Sequence, residues 1–258
     1  MQGRSATLRL TIPNAITFLA MYAGLTAIRF AIDGRFAAAV VGLAIAGVAD
    51  RLDGAAARLL RASSRFGAEF DSFADLVSFG IAPALIMFLW ALRPYGAWGF
   101  LPAVLCIACA ALRLTQFNLA SDAAPKPDYA RHFYTGMTSP PGAAIAVFPL
   151  LVALEADANG WQAVADLAHT PLAAGASLVL SGLLMISRFP LLDFVHARLS
   201  RPVKLAVLAA FVLVMAVQPW LGLMALTPFA LFMLAISPSA LRRRRAEALA
   251  QGPLSAPR

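Results

Sequence analysis

Charge and cysteine are both scarce in this sequence, and each scarcity excludes a class of protein. Only 13% of the 258 residues are charged, about half the share of a water-soluble domain, which excludes a polar shell around a soluble core. The two cysteines, Cys106 and Cys109, cannot build a disulfide framework. With no histidine or second cysteine pair nearby they do not make a zinc or redox centre either, and they read as packing residues. Acidic residues number 13 against 21 Lys and Arg. The resulting charge of +8 forms no basic stripe interleaved with aromatics, which excludes nucleic acid as a partner.

What is plentiful is apolar side chain, 60% of the chain, gathered into runs. Runs of about 17–25 apolar residues are what a hydrocarbon layer of about 30 Å demands of a helix, because lipid offers backbone polar groups no partner outside their own segment. The pattern predicts an all-α integral membrane protein of about eight transmembrane helices, at 14–32, 36–60, 67–92, 98–119, 139–154, 171–187, 202–217 and 221–236. A short amphipathic interfacial helix is expected before the first. With both termini cytoplasmic, every Lys and Arg except Arg29, Arg35 and Arg93 falls on the inner side, so the expected location is the inner membrane. Residues 155–170 hold Glu155, Asp157 and Asp166 without Lys or Arg and read as an outer loop. The basic run Arg242 to Arg245 reads as a stop signal that touches anionic lipid, and loose order is expected from Ala246 onward.

Asp50, Asp53, Arg58, Asp71 and Asp75 sit inside or at the ends of otherwise apolar helices, where such residues are costly. Asp50 and Asp53 are three apart and Asp71 and Asp75 four apart, so each pair occupies one helix face. A hairpin through 60–66 brings the two faces together at the cytoplasmic end. Four close carboxylates repel unless cations neutralise them. All-oxygen ligation suits Mg²⁺, Mn²⁺ or Ca²⁺, and two acidic faces suggest a two-metal site for phosphoryl displacement. Gly54 follows Asp53 where a missing Cβ lets a nucleotide approach the backbone, though close helix packing explains it equally well. Arg58, four residues on, can point its planar fork at phosphate oxygens.

From Asp50 to Asp75 the sequence reads DRLDGAAARLLRASSRFGAEFDSFAD. It resembles, without a departure, the signature DxxDGxxAR, eight residues, GxxxDxxxD of the CDP-alcohol phosphatidyltransferases. The resemblance implies a six-helix catalytic core, a homodimer, and two divalent cations held by Asp50, Asp53, Asp71 and Asp75, with Asp75 also the general base. It implies that Gly54, Arg58 and Ser64 contact the CDP moiety, with Asn14 the polar group of the 13–16 segment that closes over it. The expected division is 1–12 interfacial segment, 13–190 core, 191–238 two additional helices and 239–258 basic tail.

The stretches FDSFADLVSFGIAPA, ALRLTQFNLA and FYTGMTSPPGAA are similar to the bacterial type II phosphatidylserine synthases, with departures at Phe73, Thr115, Gln116, Met137, Thr138 and Ser139. This implies CDP-diacylglycerol as donor and L-serine as acceptor. Arg113, Gln116 and Asn118, toward one end of the fourth span, are candidates for the acceptor pocket, with Arg113 suited to the serine carboxylate; interfacial anchoring of the helix end is the alternative. Another acceptor, such as glycerol 3-phosphate, inositol phosphate or choline, stays open. So does a cation transporter, which predicts carboxylates continuing toward the outer side.

Overall fold

The computed structural model describes residues 2–62, 64–121, 133–187, 189–192 and 217–250. Its first unit is an antiparallel hairpin of α1 (Gln2–Ile32) and α2 (Phe36–Leu60). The chain reverses at Gly34, in the left-handed region at φ +74°, and the Arg35 guanidinium covers the Phe30 ring at 4.8 Å. The buried face of α1 recurs at Pro13, Thr17, Ala20, Gly24, Ala27 and Ala31, steps of three and four that keep one stripe inward. All six side chains are small, so neighbouring helices come close, as helices surrounded by lipid must to gain dispersion contact. A Cβ on Gly42 of α2 would lie 2.9 Å from the Ala27 Cβ, and one on Gly24 would lie 2.8 Å from the Ser78 Cα.

The next helical run starts as α3 (Arg65–Asp75), widens to π-helical turns at Leu76–Ile81, regains α geometry in α4 (Ala82–Met87) and widens again at Phe88–Leu92. Pro83 and Pro94 explain part of this, since neither has an N–H for the carbonyl four residues back. For Pro94 that carbonyl belongs to Trp90, and the His169 Nε2–H reaches it instead at 2.9 Å, with the two rings stacked 4.6 Å apart. A short 3₁₀ turn, Arg93–Tyr95, and Gly96 at φ +54° then lead into α5 (Gly96–Ser121).

The apolar stretch Arg65–Ala120 spans 56 residues, well over twice the roughly 20 that one crossing needs. It folds back on itself. Ser72 meets Asn118, Gly80 faces Ala110, and Phe88 packs edge-on against Phe100, so the partners move apart along the chain as in an antiparallel pair.

Prolines also shape the second half. α6 (Ser139–Ala146) and α7 (Phe148–Ala158) meet at a 52° bend just before Pro149, and α8 (Gln162–Ala168) and α9 (Pro171–Ile186) at a 54° bend at Pro171. A two-stranded antiparallel ladder, β1 (Phe133–Thr135) with β2 (Pro190–Leu192), ties the entry of α6 to the exit of α9. Beside it Gly136, at φ +75°, lies where a Cβ would strike the Met185 and Ser187 carbonyls at 2.6 and 2.7 Å, so only glycine fits. The last helix, α10 (Pro219–Ala250), packs Ala230 against Met137 and Ile145. The largest core cluster joins Ala27, Leu43, Ile86, Met87, Cys106, Leu150, Leu151 and Leu178 from both halves. Cys106 and Cys109 are buried free thiols facing Gly182 of α9, which is a packing role.

Among the described residues three helical stretches are long and apolar enough to cross a membrane, the folded-back Arg65–Ala120 counted as one, and up to five if each bent pair is one span. The expected span at 202–217 lies outside the described residues. α1 runs unbroken from Gln2 through Pro13 to Ile32, so the expected interfacial segment and the first span share one helix. One boundary differs from expectation. The C-terminal helix passes the Arg242 to Arg245 run and ends at Ala250, beyond Ala246, since Ala, Leu, Arg and Glu in 240–250 are all strong helix formers.

The seam between α1 and the third run generates a prediction. Gly→Ala within a helix ordinarily stabilises by up to about 1 kcal/mol. Gly47→Ala, whose new methyl would lie 3.8 Å from Phe79, should leave the melting temperature in detergent unchanged or raised. Gly24→Ala should lower it, by overpacking worth about 1–3 kcal/mol. Equal melting temperatures for the two variants would mean that the seam yields.

Candidate active site

The turn between α2 and α3 sets the geometry of the site. α2 stops at Arg61, which adopts the left-handed conformation at φ 50° and donates its N–H to the Arg58 carbonyl. α3 begins at once from Ser64, whose hydroxyl accepts the Gly67 N–H at 3.0 Å and caps the helix. After so short a connection α3 packs on α1, as α2 does, and the acidic faces of α2 and α3 turn toward each other.

Asp50 and Asp53 of α2 and Asp71 of α3 converge, with one carboxylate oxygen from each lying within 4.8 Å of the others. At that separation each like-charged pair repels by on the order of 3 kcal/mol at an effective dielectric near 20. Arg51 places its Nε 3.9 Å from Asp50, but its side chain is exposed and offsets little. A hard, oxygen-only donor set with excess negative charge at the end of an apolar helix pair fits a divalent cation.

Asp75 stands outside this group of three. Its carboxyl lies against that of Asp50, within the field of Asp71 and of the Arg113 guanidinium. Arg113 is buried on α5; its Nε donates to the Met137 carbonyl at 3.1 Å, its Nη1 to the Ser139 hydroxyl at 3.2 Å, and its head lies 5.3 Å from the Phe117 ring. Ser139 opens α6, so α5 and α6 together hold this cation near the acidic cluster.

Further predicted residues flank the α2–α3 turn. The position a Cβ would take on Gly67 is 3.1 Å from the Ser64 Oγ and 3.2 Å from the Asn14 Oδ1, so α1 and α3 bring two polar groups together over a residue with no side chain. On α2 the Arg58 Nη1 lies 3.4 Å from the corresponding position over Gly54, and the Arg58 side chain is exposed.

The predicted acceptor residues are not brought to one point. Asn118 accepts from Ser72 at 3.1 Å and donates to Glu69 at 3.3 Å, both on α3, while Gln116 is exposed. Only Arg113 is buried toward the carboxylates. Sequence reasoning missed Thr17, whose hydroxyl donates to the Asp53 Oδ2 at 2.7 Å, as well as Ser139 and the Met137 carbonyl as partners of Arg113. The one signal for Thr17 was its place one turn beyond Asn14 on the same face of α1.

Known proteins resemble this chain over much of its length. The profile of the CDP-alcohol phosphatidyltransferase family matches residues 10–186. A CDP-diacylglycerol--serine O-phosphatidyltransferase of Mycobacterium bovis is 38% identical over 163 residues, which is 63% of this chain and 57% of that protein. The protein of the same name from Mycobacterium leprae is 36% identical over 214 residues, 81% of this chain and 68% of that one. An archaetidylserine synthase of Methanothermobacter thermautotrophicus is 31% identical over 121 residues, 46% of this chain and 52% of that one. The chain thus spans little more than half the length of the M. bovis relative.

The three-carboxylate cluster makes a measurable prediction. Purified protein freed of metal should bind Mn²⁺, followed by loss of the free-ion electron paramagnetic resonance signal. Asp71→Asn should weaken that binding by at least the roughly 10–100-fold that losing even an outer partner of a metal site costs. Asp157→Asn, at the far end of the bundle, should not. Equal Mn²⁺ affinity in all three proteins would remove the metal assignment.

Proposed function

We propose, from the premise that this chain belongs to the CDP-alcohol phosphatidyltransferase family, that it transfers the phosphatidyl group of CDP-diacylglycerol to the hydroxyl of L-serine, giving phosphatidylserine and CMP. The observation that carries the reading is the convergence of Asp50, Asp53 and Asp71, with Asp75 against Asp50, beside the polar pair Asn14 and Ser64. Serine as acceptor is favoured because relatives whose names specify serine transfer match more than half of this chain at 31–39% identity.

In this reading Asp50, Asp53 and Asp71, joined by Asp75, hold two divalent cations, Mg²⁺ or Mn²⁺. Bound there, the ions would supply Lewis-acid stabilisation of charge on the transferring phosphoryl group. Asn14, Ser64, Gly54 and Arg58 receive the CDP head: Gly54 and Gly67 keep the backbone open to it, and exposed Arg58 points its fork at the diphosphate. Arg113 is the cation suited to the serine carboxylate.

The reaction is a direct displacement. The serine oxygen bonds to the β-phosphorus, the bond from that phosphorus to the bridging oxygen breaks, CMP departs with that oxygen, and Asp75 takes the hydroxyl proton. Positioning and electrostatics carry most of the rate, as is usual for phosphoryl transfer.

Further parts of the reading follow from the family and the charge pattern. The core is residues 13–190, followed by two helices at 191–238 and a basic tail at 239–258. The whole chain has eight transmembrane helices, residues 1–12 lie at the interface, and the protein works as a homodimer in the inner membrane with termini and site at the cytoplasmic face. The bias of Lys and Arg toward one side supports that orientation.

Two measurements test the reading. With purified protein and labelled CDP-diacylglycerol, L-serine should support CMP release far better than glycerol 3-phosphate or inositol phosphate; a phosphorylated alcohol as best acceptor would retain the family and replace the substrate. Asp75→Asn, at saturating metal and lipid, should slow turnover by about 10²–10⁴-fold while CDP-diacylglycerol binding changes little. Near-normal turnover in that variant would assign the proton to another group.

A further inference from the structure

The site has a contact that metal ligation, nucleotide binding and acceptor binding leave unused. Thr17 of α1 and Asp53 of α2 are both buried, 4% and 5% exposed, and the Thr17 Oγ1 lies 2.7 Å from the Asp53 Oδ2. The same oxygen lies 3.1 Å from the Pro13 carbonyl. A hydroxyl carries one proton, so only one of these acceptors receives it at a time. The ordinary partner of a helical threonine is the carbonyl four residues back. Here the carboxylate oxygen is nearer, and a hydrogen bond to a charged acceptor is the stronger of the two.

We infer that Thr17 is a positioning residue for Asp53, its hydroxyl holding Oδ2 so that the rest of the carboxylate is presented to Asp50 and Asp71. The inference rests on the metal reading above and extends it to a helix that supplies no ligand. Asp53 stands on α2 between two neighbours of like charge, and repulsion alone would rotate its carboxylate away from them. A neutral donor on α1 restrains it without adding charge. Residue 17 sits one turn beyond Asn14, which lies over Gly67 beside Ser64. The same face of α1 therefore touches the nucleotide side at one turn and the metal side at the next.

A packing role and a positioning role predict opposite orders for two substitutions. Valine keeps the shape and branching of threonine and loses the donor; serine keeps the donor and loses the methyl. If Thr17 positions Asp53, Thr17→Val should bind Mn²⁺ about 10–100-fold more weakly than the unmodified protein, as losing an outer partner of a metal ligand does. The Mn²⁺ concentration for half-maximal CMP release should rise by a similar factor, and Thr17→Ser should restore both. Should Thr17→Val not fold, Thr17→Ser against Thr17→Ala, which differ by one oxygen, makes the same comparison. Mn²⁺ affinity equal to the unmodified protein in the variants without the hydroxyl, or lost equally in Thr17→Ser, overturns the inference while leaving the metal site standing. An unmodified protein that binds no Mn²⁺ overturns both.

Discussion

The close approach of α1 to its two neighbours governs the rest of this molecule. Lipid supplies no hydrophobic force to press helices together, so their contact must come from dispersion at short range. The stripe Pro13, Thr17, Ala20, Gly24, Ala27, Ala31 has almost no bulk to hold the neighbours off. Ser78 uses that closeness to donate its hydroxyl to the Ala20 carbonyl at 3.2 Å. Because the seam is tight, Asn14 and Thr17 arrive within reach of Gly67 and Asp53, and a helix without an acidic residue in its buried stripe becomes a wall of the site.

Electrostatics then works against that packing. Asp50, Asp53 and Asp71 are held together by helices whose burial is apolar, and the ion pair of Asp50 with exposed Arg51 is a weak one. Helix packing thus holds like charges together, a repulsion that a divalent cation would relieve. Arg113 meets the problem differently, since it is buried and anchored by a carbonyl and a hydroxyl within the field of Asp75. The site combines fixed negative charge, one aimed positive charge and neutral donors at its edge.

Much of this was legible in the residues, and the rest was not for definable reasons. The two acidic faces follow from spacings of three and four on helices, and the hairpin that joins them follows from the short polar segment at 60–66. Asp75 turning to Asp50 while Asp71 joins Asp50 and Asp53 was not legible, because which carboxylate meets which depends on how α3 is rotated relative to α2. The widened turns after Asp75 left no periodic trace, since they shift the ladder without changing composition; Pro83 was their one visible cause. Thr17 was hidden because its partner lies 36 residues away on another helix. Asn118 and Gln116 looked like acceptor residues by position along α5, but partner choice depends on rotation about the helix axis, and Asn118 faces Glu69 and Ser72.

The ladder of β1 with β2 has a meaning for how the chain is made. Thr135 pairs with Pro190, and Gly136 donates to the Phe189 carbonyl at 2.9 Å. During translation at about 5–20 residues per second, the first strand emerges several seconds before its partner exists. Four helical segments must be delivered to the membrane in that interval with their entrance untied. The ladder is therefore a clasp that records the completion of α9, and the polypeptide that has passed it is the earliest one in which the entrance of α6 and the exit of α9 are joined by backbone bonds.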